Sequence, residues 1–485
     1  MSARRIAKST YCSTSRIDVP AASFQRLLEW AQTAALRQTS IQFRLREHFG
    51  TDPSAFPATS LDIAEYDQPN VHVALEAYLA EPGRSAESMG LAAASHIEVN
   101  LSLLVAPGRH AASVEPGPVG RTVIDLDEGA SLAYVTMGLF LVTDGESRLA
   151  VLLGRQRFPS QRYFVEAMAP EQEAGEAFLA DLRGSMAAHN VYRRKVISLS
   201  GTQGPMGTST DVAFHPRKPA AREAIVLPAG LLERVERSTL EFDRHTEALR
   251  ERGHHLRRGI LLHGPPGTGK TLTATYLADA LPHRTVLILT GKSLGLIRAT
   301  CTMARDLQPS MVILEDIDLV AQERTQMNTN TTALLFELLN EIDGMGEDAD
   351  VIFVMTTNRA DLLEPALAAR PGRVDQAVHF PLPDSGSRTR LLELFCDGVQ
   401  VDLSDASRLV ERTEGASPAF LRELVRKAGL FATVAGERTV SEHHFDQALA
   451  ELEEGGRLTR SILGAGTDDA PAAPVATGFP IPRGP

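Results

Sequence analysis

Residues 264–271 read Gly264-Pro265-Pro266-Gly267-Thr268-Gly269-Lys270-Thr271, set between an apolar run, Gly259-Ile260-Leu261-Leu262-His263, and a stretch of helical composition from Thr271 through Leu281. A short buried strand, a glycine-rich loop and a helix start are the context in which such a loop cradles phosphate. The glycines let backbone N–H groups converge on an anion, and the helix N-terminus adds partial positive charge. In this pattern Lys270 reaches the β- and γ-phosphates and the Thr271 hydroxyl holds Mg²⁺. A glycine-rich turn with a chance lysine would share the composition but not the four fixed positions or the strand-loop-helix setting. The stretch therefore implies a nucleoside triphosphate site, with ATP and Mg²⁺ expected.

Such a site needs a carboxylate near the metal, a group that activates water, and a sensor of the γ-phosphate. Met311-Val312-Ile313-Leu314 reads as a buried parallel strand and ends in Glu315-Asp316-Ile317-Asp318. Acids at the carboxyl end of such a strand sit at the ligand crevice of an open α/β sheet. A second apolar strand, Val351-Ile352-Phe353-Val354-Met355, ends in Thr356-Thr357-Asn358 and brings an amide to the same edge. Arg370-Pro371-Gly372-Arg373 offers two guanidinium groups in a turn-like stretch, suited to charge on a transferring phosphoryl group.

Taken together, Gly264 to Thr271, Glu315 to Asp318, Thr356-Thr357-Asn358 and Arg370 to Asp375 resemble the AAA subfamily of AAA+ ATPases, over roughly residues 225–456. The resemblance implies that Asn358 positions the attacking water and that Arg370 and Arg373 are arginine fingers reaching a neighbouring subunit's ATP. The active form is then a homo-oligomeric ring, most often a hexamer in that family. Leu338-Leu339-Asn340-Glu341-Ile342-Asp343-Gly344-Met345 matches the helix end through which such proteins signal between subunits.

Three departures from the common pattern limit the carry-over. Most relatives carry Asp-Glu where this chain has Glu315-Asp316. The resemblance then assigns Glu315 to the Mg²⁺ shell and Asp316 to water activation, an order also met in the mitochondrial Rieske-protein translocase branch. Asp318 reads as structural, a cap for the segment after it. The segment Thr290-Gly291-Lys292-Ser293-Leu294-Gly295-Leu296-Ile297-Arg298 lies where threading unfoldases carry an aromatic pore loop, yet it has no aromatic residue. In the lid, Gly415-Ala416-Ser417-Pro418-Ala419-Phe420 puts proline where glycine is usual, which the first turn of a helix tolerates.

The predicted fold class is α/β: a P-loop parallel sheet sandwiched by helices, with a helical lid and a preceding α+β domain. Residues 1–200 form that N-terminal domain, which by the resemblance selects a substrate or partner. Helical patterns lie at Gln25 to Glu47, Val71 to Ala80 and Glu171 to Ala188. Strands flank the turn signal Asp144-Gly145. Residues 201–228 have linker composition. Residues 229–384 form the nucleotide-binding subdomain, with strands near Ile260, Val286, Ile313, Phe353 and Val378. Four helical patterns make residues 385–456 the lid, and the proline- and alanine-rich 457–485 reads as a disordered tail. Its ending, Pro482-Arg483-Gly484-Pro485, lacks the hydrophobic-tyrosine signal that some ring ATPases use to dock on a proteasome.

At 485 residues and 43% hydrophobic composition the chain can fill two or three cores. A net charge of −12 disfavours nucleic acid as the main partner, because phosphate neutralisation needs a basic surface. The local basic run Arg250, Arg252, His254, His255, Arg257 and Arg258 reads as a solvated helix end. Cys12, Cys301 and Cys396 are widely spaced, fit a reducing cytoplasm and offer no metal spacing. No stretch approaches a membrane span, and no His-Glu-x-x-His motif is present. A cytoplasmic ATP hydrolase that remodels or activates a protein client is the leading expectation. The alternatives are a slowly hydrolysing nucleotide-dependent switch or scaffold and a nucleic-acid-stimulated ATPase.

Overall fold

In the computed structural model, the residues described are 39–93, 98–106, 114–156, 162–204, 207–318, 340–342, 344–346, 348–359, 374–403 and 405–454. The chain divides into two compact units, one of residues up to Val123 plus Ala133–His189, the other of Ile124–Leu132 plus Asn190 onward.

The first unit is built on an antiparallel sheet. Its strands are β1 (Ala58–Ile63), β2 (Arg84–Ala93), β3 (Val114–Gly117), β4 (Gly120–Asp125), β5 (Ser131–Asp144), β6 (Ser147–Gln156) and β7 (Arg162–Met168). They run in the order β1-β7-β6-β5-β2-β3, with β4 paired to β5. Successive residues of β5 and β6 point to opposite faces. Phe140, Val142, Leu149 and Val151 pack with helices α1 (Gln68–Leu79) and α2 (Gln172–Ala188), while Leu139, Leu141, Ala150 and Leu152 join a second core with Ile41, Leu45, Leu101 and Leu104. Burial on both faces explains why these strands read as continuous apolar runs. Asp144 pairs with Ser147 across a two-residue turn whose first residue, Gly145, has φ +59°, the left-handed value that glycine adopts without strain.

The second unit carries the phosphate loop. Its sheet has β8 (Val196–Gly204), β9 (Gly207–His215), β10 (Arg258–His263), β11 (Thr285–Leu289), β12 (Ser310–Leu314), β13 (Val351–Thr357) and β14 (Gln376–His379), ordered β14-β10-β13-β12-β11-β8-β9. All neighbours are parallel except the β8–β9 hairpin. The linker expected at 201–228 is therefore corrected over its first half. Val196, Ile197 and Ser198 pair with Val286, Leu287 and Ile288, and the hairpin extends the nucleotide-binding sheet by two strands. Its glycine, threonine and serine content misled the reading, because ladder hydrogen bonds come from the backbone whatever the side chain. The 1–200 boundary moves with it, since Val196 to Ser200 belong to this sheet.

Helix α3 (Lys270–Ala280) follows β10, and α4 (Ile297–Asp306) precedes β12. At the amino ends of the strands Arg284, 1% exposed, is held by Asp243 (Nε 2.5 Å) and Asp350 (Nη2 2.6 Å) and by the Ser310 carbonyl (3.0 Å). A buried guanidinium is tolerated when its donors are matched in this way. The basic run is only partly solvated: Arg257 donates to the Ile342 carbonyl at 2.6 Å, and Arg258 stacks over Phe242 at 4.4 Å. The lid consists of α5 (Ser385–Phe395), α6 (Ala406–Arg412), α7 (Pro418–Val434) and α8 (Glu442–Glu454), which share one core around Leu421, Leu424 and Phe445. Four helices, as many as the helical patterns read over 385–456, thus make up this part of the described chain. No helix among the described residues is long and apolar enough to cross a membrane.

Candidate nucleotide site

Three adjacent strands deliver the candidate residues to one edge. His263 of β10 lies opposite Thr357 of β13, and Leu314 of β12 lies opposite Met355. The phosphate loop, the acids and the sensor amide thus leave the carboxyl ends of neighbouring parallel strands, where open α/β sheets bind ligands.

The loop needs its glycines for separate reasons. Gly264 has φ +145°, and a Cβ there would overlap the Phe380 carbonyl oxygen, with the carbonyl carbon 3.0 Å away. Gly267 (φ +76°) and Gly269 (φ +99°) turn the chain into α3, which begins at Lys270. Lys270 is 6% exposed, and its Nζ donates to the carbonyls of Gly264 (2.8 Å) and Pro265 (2.7 Å). Burial pushes its pKa down to about 8, partly offset by the charges of Asp316 and Asp318. The Thr268 hydroxyl closes the loop on the Pro265 carbonyl at 2.9 Å.

Opposite the loop, the Thr271 hydroxyl donates to the Glu315 carboxylate, whose pKa is raised mainly by burial and then by the neighbouring Asp316. A hydroxyl and a carboxylate side by side at a helix N-terminus form a hard oxygen donor pair that fits Mg²⁺. Both residues line a cavity of about 250 Å³ that runs along α3 past Thr275 and Ala278.

The acid run is divided by its backbone. Asp316 has φ +51°, uncommon for a residue with a side chain and a frequent mark of functional sites. Its amide donates to Thr356 Oγ1 (3.1 Å), and the Ile317 amide donates to the Thr356 carbonyl (3.1 Å). This turn sets Asp316 Oδ1 3.2 Å from Asn358 Nδ2. The segment that Asp318 was expected to cap lies outside the described residues, but Asp318 itself has partners on β13. It is 3% exposed, and its Oδ1 accepts from Thr357 Oγ1 (3.0 Å) and from the Asn358 amide (3.1 Å).

The lid reaches the same place. Ser417 caps α7 by accepting from the Phe420 amide at 3.2 Å, with Pro418 in the first turn as expected. The Ala419 amide then donates to the Gly267 carbonyl at 3.2 Å. Sequence reasoning missed Thr356 and Thr357 as supports. The available signal was two hydroxyls at the end of a fully apolar strand, each needing a partner once buried. Arg370 and Arg373 lie outside the described residues, as do Leu338, Leu339, Asp343 and the tail. Asp375, two residues beyond Arg373, is anchored, its Oδ2 accepting from the Gly259 amide at 2.7 Å.

The sequence profile described as "ATPase family associated with various cellular activities (AAA)" matches residues 260–382, which span this loop, the acids and the sensor strand. Residues 260–382 are an AAA ATPase domain. Similar proteins include the proteasome-activating nucleotidase of Methanosphaerula palustris, 34% identical over 42% of this chain and 53% of its own length. The 26S proteasome regulatory subunit S10B homolog B of Arabidopsis thaliana is 35% identical over 42% of this chain and 54% of its own. ATP-dependent zinc metalloprotease FtsH 2 of Thermoanaerobacter is 32% identical over 47% of each chain. The chain thus spans about half the length of the curated relatives it matches. The α/β P-loop class expected from the sequence is the class of the AAA domain.

Proposed function

We propose that this chain hydrolyses ATP at the β10–β13–β12 edge and uses the energy to remodel or activate a protein client as a homo-oligomeric ring. The observation that carries this reading is the meeting of Lys270, Thr271, Glu315, Asp316 and Asn358 at one strand edge, with Asp316 hydrogen-bonded to Asn358 at 3.2 Å. Gly264 to Gly269 and Lys270 bind the triphosphate. Thr271 and Glu315 hold Mg²⁺, which when bound neutralises charge on the β- and γ-phosphate oxygens. Asp316 takes the proton of the attacking water, and the Asn358 amide fixes the direction of attack. Arg370 and Arg373 act on the neighbouring subunit's ATP, which makes assembly, most simply a hexamer, a condition for turnover. The named activities of the relatives, activating or regulating a proteasome and cleaving proteins, support a protein as the client. A cytoplasmic location and a substrate-selecting role for the first unit complete the reading.

The absence of an aromatic residue from Thr290 to Arg298 favours limited remodelling over processive threading and leaves a slow nucleotide switch as the second reading. Phosphate release measured with and without unfolded casein separates them. Stimulation by casein supports the remodeller, a slow and unstimulated rate supports the switch, and stimulation by single-stranded DNA instead would move the client class to nucleic acid.

A further inference from the structure

The geometry points to Asp318 as the positioning residue that sets Asn358 against Asp316, a role that rests on the hydrolytic reading of this site. Three acids follow β12, and the chemistry above uses only Glu315 and Asp316. Both donors at the end of β13, the Thr357 hydroxyl and the Asn358 backbone N–H, converge on Asp318 Oδ1 at 3.0 and 3.1 Å, and both Asp318 and Thr357 are buried. A buried carboxylate accepting two hydrogen bonds is a strong, charge-assisted anchor, and removing it strands both donors.

The anchor acts through one residue. Asp318 fixes the backbone of Asn358, and the Asn358 side chain meets Asp316 Oδ1 at 3.2 Å. Asp316 is itself tied to the residue before Thr357 through the Thr356 hydroxyl. Two groups of hydrogen bonds thus cross between the β12 and β13 ends, one through Thr356 orienting the base and one through Asp318 orienting the sensor. Without Asp318 the sensor connection loses its fixed origin, while the phosphate loop keeps its own bonds from Lys270 and Thr268. Rate should fall and nucleotide affinity should not. A misplacement of about 1 Å can cost about 100-fold in rate.

Steady-state phosphate release and ADP affinity test this in the full chain. Asp318→Ala should lower kcat by about 10- to 100-fold and leave the ADP dissociation constant within about threefold. Asp318→Asn keeps an acceptor oxygen at the same place and should restore kcat to within about fivefold of wild type. Added to Asn358→Ala, Asp318→Ala should cost little more, because coupled residues are not additive. Multiplying losses in the double variant, or an Asn variant as slow as the Ala variant, would overturn the assignment. If Asp318→Ala does not fold, Thr357→Val, which removes one donor at constant volume, should slow turnover while Asp318→Asn does not, and the reverse overturns it. A wild-type chain with no turnover would instead refute the hydrolytic reading. In that case hydrogen exchange at the Asn358 amide, faster in Asp318→Ala and slowed again in Asp318→Asn if Asp318 sets this position and unchanged in both if it does not, decides the point alone.

Discussion

Replacing Gly264 by alanine probes the sterics on which the phosphate loop depends. Gly264 has φ +145°, a region essentially closed to side chains, and strain there costs about 1–3 kcal/mol. The added Cβ also overlaps the Phe380 carbonyl, with the Phe380 carbonyl carbon at 3.0 Å and its nitrogen at 3.2 Å. That backbone cannot swing away cheaply, because Phe380 is fully buried and its amide donates to the His263 carbonyl at 2.7 Å. Forcing a filled site apart adds about 1–3 kcal/mol, so Gly264→Ala should lose about 2–6 kcal/mol. At about 2–4 °C per kcal/mol for a unit of this size, Tm should drop by at least about 4 °C. Gly269→Ala is the control, since φ is +99° but nothing lies within 4 Å of its Cβ, so it carries backbone strain alone. Calorimetric unfolding and ATP titration read both variants. Gly264→Ala should unfold earlier than Gly269→Ala and lose ATP affinity, because the Gly264 carbonyl that receives Lys270 is displaced. Equal melting of the two variants, or wild-type ATP affinity in Gly264→Ala, would refute the steric argument.

Two further outcomes are expected of the site. Burial lowers the Lys270 pKa to about 8, so in the free protein its charge is lost as pH rises through 8, whereas bound phosphates favour the charged form. ATP binding should therefore take up protons above pH 8 and weaken by up to about tenfold per pH unit; titrations at pH 8.5 in buffers of different ionisation enthalpy measure the uptake, and its absence would mean that Lys270 stays charged throughout. Arg373→Ala should bind ATP normally yet hydrolyse it about three to five orders of magnitude more slowly. Mixing it with Lys270→Ala should restore activity that rises with protein concentration, and demonstrably mixed oligomers with no gain in rate would rule out a finger acting in trans.

The parts of the site that were legible in the sequence are those whose chemistry fixes residue type and spacing. Gly264 to Thr271 announces itself because the strained turn, the phosphate contacts and the helix start each demand a particular residue, and the structure adds only that Gly264 is constrained by Phe380. The lid helices were legible for a similar reason, their apolar faces repeating at helical spacing and Ser417-Pro418 marking a start. Of the β8–β9 hairpin only the start was legible, since Val191 to Leu199 reads as a strand while the rest of β8 and all of β9 do not. Gly201 to Gly204 looks like a linker because its pairing with Gly207 to Thr210 rests on backbone hydrogen bonds within the hairpin, which leave no side-chain signature. Nor was the role of Asp318 legible, since its partners Thr357 and Asn358 lie 39 and 40 residues away along the chain and meet it only through the parallel pairing of β12 with β13.

In the proposed reaction this edge hydrolyses ATP with Asp316 as the base. The most direct test is phosphate release by the wild-type chain and by Asp316→Asn, with bound ATP quantified in the same samples in Mg²⁺. Steady turnover is expected of the wild type and, for Asp316→Asn, ATP bound at wild-type affinity with turnover reduced by about two to four orders of magnitude. If Asp316→Asn turns over normally while Glu315→Gln retains bound ATP and stops, the two acids have exchanged roles and the assignment of the base is wrong.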